Sequence, residues 1–82
     1  MTSGDGRNVR DPAKLRKRSV RIGGHDTSVS LESAFWDALG EIARARGVSL
    51  NALATAVDRE RKGNLSSALR LFVLEQTRRN RV

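Results

Sequence analysis

Polar and apolar positions alternate over residues 27–31: Thr27, Val29 and Leu31 fall on one face of an extended strand, and Asp26, Ser28 and Ser30 fall on the other. A lone strand leaves a row of backbone N–H and C=O groups without partners. The expected neighbour is a second copy of the chain, giving a dimer with a shared two-stranded ribbon. Residues 19–22 alternate in the same way, Val20 and Ile22 against Ser19 and Arg21, until Gly23-Gly24 interrupts them. This run is either a second short strand, folded back on residues 27–31 through a Gly-Gly-His-Asp turn, or an arm that orders on a partner.

The period then changes from two to that of a helix. Phe35, Leu39, Ile42 and Ala43 stand at i, i+4, i+7 and i+8, Trp36 widens the stripe, and Gly47 is placed to end a helix that starts at Glu32 or Ser33 and runs to Arg46. Glu32, Asp37 and Glu41 precede Arg44 and Arg46, the order that the helix dipole favours. Ser49 is a suitable N-cap for a second helix with Leu50, Leu53, Ala54 and Val57 on its apolar face, ending in the charged run 58–62 and closed by Gly63. A third helix starts from Asn64 as N-cap and carries Leu65, Ala68, Leu69, Phe72 and Val73 on one face. Leu71 and Leu74 widen that face, which predicts cover on more than one side, such as dimer packing would give.

The fold class is therefore mostly α with one short β ribbon. Residues 1–16 are expected to be a disordered basic arm, residues 17–77 the folded domain, and residues 78–82 a basic tail. With 82 residues and no cysteine, neither a large core nor a disulfide or cysteine metal site stabilises the chain, which again favours association. Apolar runs are short and the first residues are polar, so a membrane span or signal peptide is not expected, and the reading is a cytoplasmic protein.

The net charge of +7 is unevenly spread: +5 over residues 1–25, −2 over 26–48, +1 over 49–63 and +3 over 64–82. Cationic ends around a nearly neutral middle suit a polyanion, because each Lys or Arg at a phosphate releases a condensed counterion. A solubilising tail is the plainer alternative. Lys14, Arg16, Lys17, Arg18 and Arg21 form the densest basic stretch.

The segments TSVSLESAFWDALGEIARARGVSLNALATAV, KRSVRIGGHDTSVSLESAFWDAL and GNLSSALRLFVLE, taken together over residues 17–77, resemble the ribbon-helix-helix family of small bacterial DNA-binding proteins. The resemblance implies an intertwined homodimer whose paired strands enter the major groove, with Ser28, Ser30 and Asp26 facing base edges and Ser49, with the amides of Leu50 and Asn51, resting on a phosphate. It implies a transcriptional regulator, a repressor by operator occupancy, bound to double-stranded DNA in the nucleoid. Val29, Leu31, Phe35, Trp36, Leu53, Val57 and Phe72 are the expected dimer-interface residues. Ser28 and Ser30 are short for base readout and Asp26 repels phosphate, whereas Lys17, Ser19 and Arg21 are better equipped. Residues 26–31 are nevertheless taken as the dimer ribbon, because of their fixed spacing to the first helix. The alternative function is a protein-interaction module of antitoxin or adaptor type.

His25, without a second His or any Cys, is a turn or strand-edge residue rather than a metal ligand or pH switch. Gly23-Gly24 lacks phosphate-loop spacing and is a turn. Trp36 belongs to a core or dimer interface, and Arg70 either contacts phosphate or is solvated. A helix-turn-helix made by the second and third helices is set aside, because the third offers leucines where a groove needs polar groups. No carboxylate pair or activated nucleophile can be assembled, so no enzyme, cofactor or metal is expected.

Overall fold

In the computed structural model, residues 11–79 are described, and the expected disorder of residues 1–10 and the tail at 80–82 lie outside them. Two strands are followed by three helices: β1 (Leu15–Ile22), β2 (His25–Glu32), α1 (Ser33–Arg46), α2 (Leu50–Glu60) and α3 (Leu65–Arg79).

The strands form one antiparallel hairpin, with Arg16 opposite Leu31, Arg18 opposite Val29 and Val20 opposite Thr27. The neighbour of β2 is thus β1 of the same chain, which decides for the folded-back strand between the two readings of residues 19–22 and corrects the expectation that a second copy supplies this neighbour. The physical reason is the Gly23-Gly24 turn. Both glycines have positive φ, 58° and 89°, as a two-residue hairpin turn with the right twist requires, and side-chain-bearing residues rarely adopt that pair of conformations.

Val20, Ile22, Val29 and Leu31 point from one face of the hairpin into a core completed by Trp36, Leu39 and Ala43 of α1, Leu53 and Ala54 of α2, and Leu69 and Val73 of α3. Val29, Leu31, Trp36 and Leu53 are buried inside the single chain. The hairpin and all three helices contribute to that core. Phe35, Val57 and Phe72 are only partly buried.

Helix ends follow local chemistry. Gly47, at φ 71°, ends α1 and donates to Arg44 O at 3.1 Å. The Ser49 hydroxyl accepts from Ala52 N at 3.0 Å, and Asn64 Oδ1 accepts from Ser67 N at 3.2 Å. Gly63 does not close α2: the helix ends as Arg61 turns extended and ion-pairs with Asp58 at 2.6 Å. At its start α1 has no side-chain cap; Ser33 N and Ala34 N donate to Lys14 O and Pro12 O at 2.9 and 3.0 Å. Residues 11–16, expected to be part of a disordered arm, are therefore tied to the fold. Buried Ser33 also donates its hydroxyl to Lys14 O at 3.3 Å.

The expected wide cover of α3 is one-sided. Leu69 and Val73 are buried, but Leu71 and Leu74 remain 64% and 51% exposed.

Candidate nucleic-acid interface

Residues opposite one another in an antiparallel pair share a face, so the register sorts the hairpin side chains into two sets. The core set carries Arg16 and Arg18 beyond its apolar end, and the Arg18 guanidinium lies 5.2 Å from the centre of the Trp36 ring. The opposite face brings Lys17 across from Ser30, Ser19 across from Ser28, and Arg21 across from Asp26. The two runs that competed as the contacting strand are thus one surface. Lys14, Arg16, Lys17, Arg18, Ser19, Arg21 and Ser28 are exposed and Ser30 is partly so. Arg21 Nη1 also pairs with Asp26 Oδ1 at 3.3 Å, which offsets the carboxylate that would otherwise repel a phosphate.

The hairpin is held against α2 through the free edge of β1. Arg21 N donates to Asn51 Oδ1 at 3.0 Å; Gly23 N donates to Thr55 Oγ1, whose hydroxyl donates to Arg21 O, both at 3.4 Å. These bonds place the start of α2 beside the ribbon. Ser49 satisfies Ala52 N, while the amides of Leu50 and Asn51 make no hydrogen bond within the described residues. Two unpaired N–H groups at the positive end of a helix dipole are a site for an anion.

Trp36 is a core residue: it is 4% exposed and its Nε1 donates to Arg16 O at 2.9 Å. Arg70 keeps about a third of its side chain exposed, but its guanidinium is engaged by a carboxylate. It forms two bonds to the Glu32 carboxylate and lies 5.9 Å from the Phe35 ring centre. The Arg70 guanidinium, first through its hydrogen bond, holds the Glu32 carboxyl below the usual range. His25 opens β2 opposite Ile22, and among the described residues no cluster fit to hold a metal occurs. The sequence reading did not single out Thr55 or Arg59. With Asn51 they stand at i, i+4 and i+8, one stripe of α2, and that spacing was the available signal.

A family model described as Ribbon-helix-helix domain matches residues 15–77. The chain belongs to the ribbon-helix-helix family. The solved structure of an uncharacterized protein from Bordetella pertussis Tohama I is similar, with a TM-score of 0.69 and 33% identity over 80% of this chain and 58% of that one. The chain therefore spans somewhat over half the length of that relative. No curated protein matches. Ribbon-helix-helix domains are typically non-enzymatic modules of DNA-binding regulators or antitoxin-type proteins, and generally bind DNA as dimers. In this ribbon-helix-helix chain both strands of the ribbon come from one polypeptide, and a third helix follows the two that name the fold. Among the described residues no helix is long and apolar enough to cross a membrane.

Proposed function

We propose that this protein is a sequence-specific transcriptional regulator, a homodimeric repressor acting in the cytoplasm at the nucleoid, that lays its β ribbon in the major groove of double-stranded DNA. The observation that carries this reading is the hairpin face on which Lys17, Ser19 and Arg21 stand beside Ser28 and Ser30. Strands about 4.8 Å apart make a ribbon that fits a groove about 12 Å wide. Lys14, ahead of the ribbon, and Arg16 and Arg18, at the end of its other face, add positive charge, and the Ser49 end of α2, with the amides of Leu50 and Asn51, takes a flanking phosphate. Serine hydroxyls donate to or accept from base edges, while Lys17 and Arg21 reach farther.

The dimer draws support from the edge of β2. Arg21 N and Gly23 N point to α2, so by antiparallel alternation the backbone groups of Asp26, Ser28 and Ser30 face away from β1, and no described residue hydrogen-bonds to them. A second copy adding across this edge pairs those groups, and higher-order assembly along DNA follows the same logic. A second reading, an antitoxin or adaptor, is favoured by the exposed Leu71 and Leu74 on α3.

Selection of bound sequences from a random duplex pool at about 150 mM salt, where free charges are screened beyond about 8 Å, tests the function. A recovered palindrome or tandem half-site supports it and reports the dimer spacing. Unenriched sequences with binding that vanishes as salt rises overturn it in favour of the protein-interaction reading.

A further inference from the structure

Beside the hairpin turn, on the stripe of α2 that holds β1, the surface sinks into a concavity of about 480 Å³ lined by Arg21, Gly23, Gly24, Asn51, Thr55 and Arg59. Its chemistry is one-sided. No acidic residue lines it. The Asn51 oxygen is occupied by Arg21 N, which leaves the Asn51 amide nitrogen as a donor, and the Thr55 hydroxyl is engaged with Gly23 N and Arg21 O. Gly24 N–H makes no hydrogen bond within the described residues, and Arg59 has no carboxylate partner among them. Arg21 gives Asp26 a single bond out of its five N–H donors. Two guanidinium groups, a side-chain amide and a backbone N–H thus border one depression that no carboxylate lines. That donor set matches a tetrahedral oxyanion, since guanidinium binds phosphate with paired N–H groups.

We propose that the notch between the Gly23-Gly24 turn and α2 is a phosphate site, separate from the Ser49 helix end, in which Arg59 and Arg21 grip a phosphate of the DNA backbone. The assignment of that phosphate to DNA rests on the proposed function. Arg21 links the two surfaces: it belongs to the groove-facing side of the ribbon and also lines the notch. A phosphate bound there anchors the tip of the hairpin at the groove wall and sets the register of the ribbon on the duplex without reading a base. Asn51 and Thr55 act as positioning residues, because their bonds to β1 hold the turn against α2.

The test uses the full chain and its Arg59→Ala variant. Arg59 is exposed, and an unchanged amide spectrum of the variant establishes that the fold is intact. Inorganic phosphate is titrated at constant ionic strength against chloride while the Gly24 amide and the arginine Nε–H signals are followed by NMR. Saturable shifts with phosphate, absent with chloride and lost in Arg59→Ala, are expected. In parallel, duplex binding is measured across salt concentrations, and the variant is expected to lower the slope of log K against log salt by about one unit. Phosphate shifts no larger than those with chloride overturn the site. Shifts that depend on Arg59 with an unchanged salt slope overturn DNA as the source and leave free phosphate as the ligand. A wild-type chain that binds no duplex overturns the proposed function instead, and the phosphate titration then decides by itself whether the notch takes the anion.

Discussion

Arg70 of α3 holds Glu32, the last residue of β2, with two hydrogen bonds, Nε to Oε1 at 2.8 Å and Nη2 to Oε2 at 3.3 Å. The pair ties the third helix to the point where ribbon becomes helix, and the guanidinium also covers Phe35. Because this interaction holds the Glu32 carboxyl below its ordinary value of 4.5, its contribution to stability is present above pH 4.5 and is lost as pH falls through the lowered value. Melting temperatures from pH 7 down to pH 3 are expected to fall more steeply below 4.5 in the wild type than in Arg70→Ala. Parallel curves would remove the pair from the stability of the domain.

Trp36→Phe removes the indole donor and leaves Arg16 O without it. The expected loss is about 1 kcal/mol, read from urea unfolding, with the helical spectrum retained. A variant as stable as the wild type would mean that water replaces the indole at Arg16 O.

Val29→Asp places a carboxylate on the core face of β2, where Val29 is 4% exposed. Burying an unpaired charge costs more than the roughly 3–5 kcal/mol that a core of this size supplies, so the variant is expected to be unfolded by circular dichroism. A stable, folded variant would contradict the packing of the hairpin on the helices.

Lys17 and Arg18 replaced together by Ala are expected to preserve the fold and to flatten the salt dependence of DNA binding by about one unit for each phosphate that the variant no longer neutralises. Arg18 also stacks on Trp36, so a melting curve accompanies the measurement to separate the effect of packing from that of charge. An unchanged slope would take Lys17 and Arg18 out of the electrostatic interaction with the duplex.

Ser49→Ala deletes the hydroxyl that accepts from Ala52 N. A stability loss of about 1 kcal/mol is expected, together with weaker duplex binding, since the first turn of α2 then frays beside the phosphate it is proposed to hold. Unfolding curves and a binding isotherm at one salt concentration check both effects.

Much of this molecule was legible in one dimension because its signals are local. The period-two runs at 19–22 and 27–31, the helical stripe through Leu39 and Ala43, Gly47 at the end of α1, and the caps Ser49 and Asn64 each depend on residues within a few positions of one another. They stand in the structure as the pattern implied.

Choices between distant partners were decided only by the tertiary structure. Alternating Val29 and Leu31 demand a neighbouring strand, but the same pattern serves a neighbour in another copy or in the same chain; the two-glycine turn, by fitting the required positive φ values, brings β1 back within one chain. That pairing buried Val29, Leu31, Trp36 and Leu53 in one polypeptide and merged two candidate contact strands into one face. Arg70 found Glu32 across 38 residues of sequence separation, and Asn51 and Thr55 bonded to Arg21 and Gly23 across 30 to 34. No periodicity encodes such meetings, because they arise from the angle at which packed elements cross, which is set by the whole core at once.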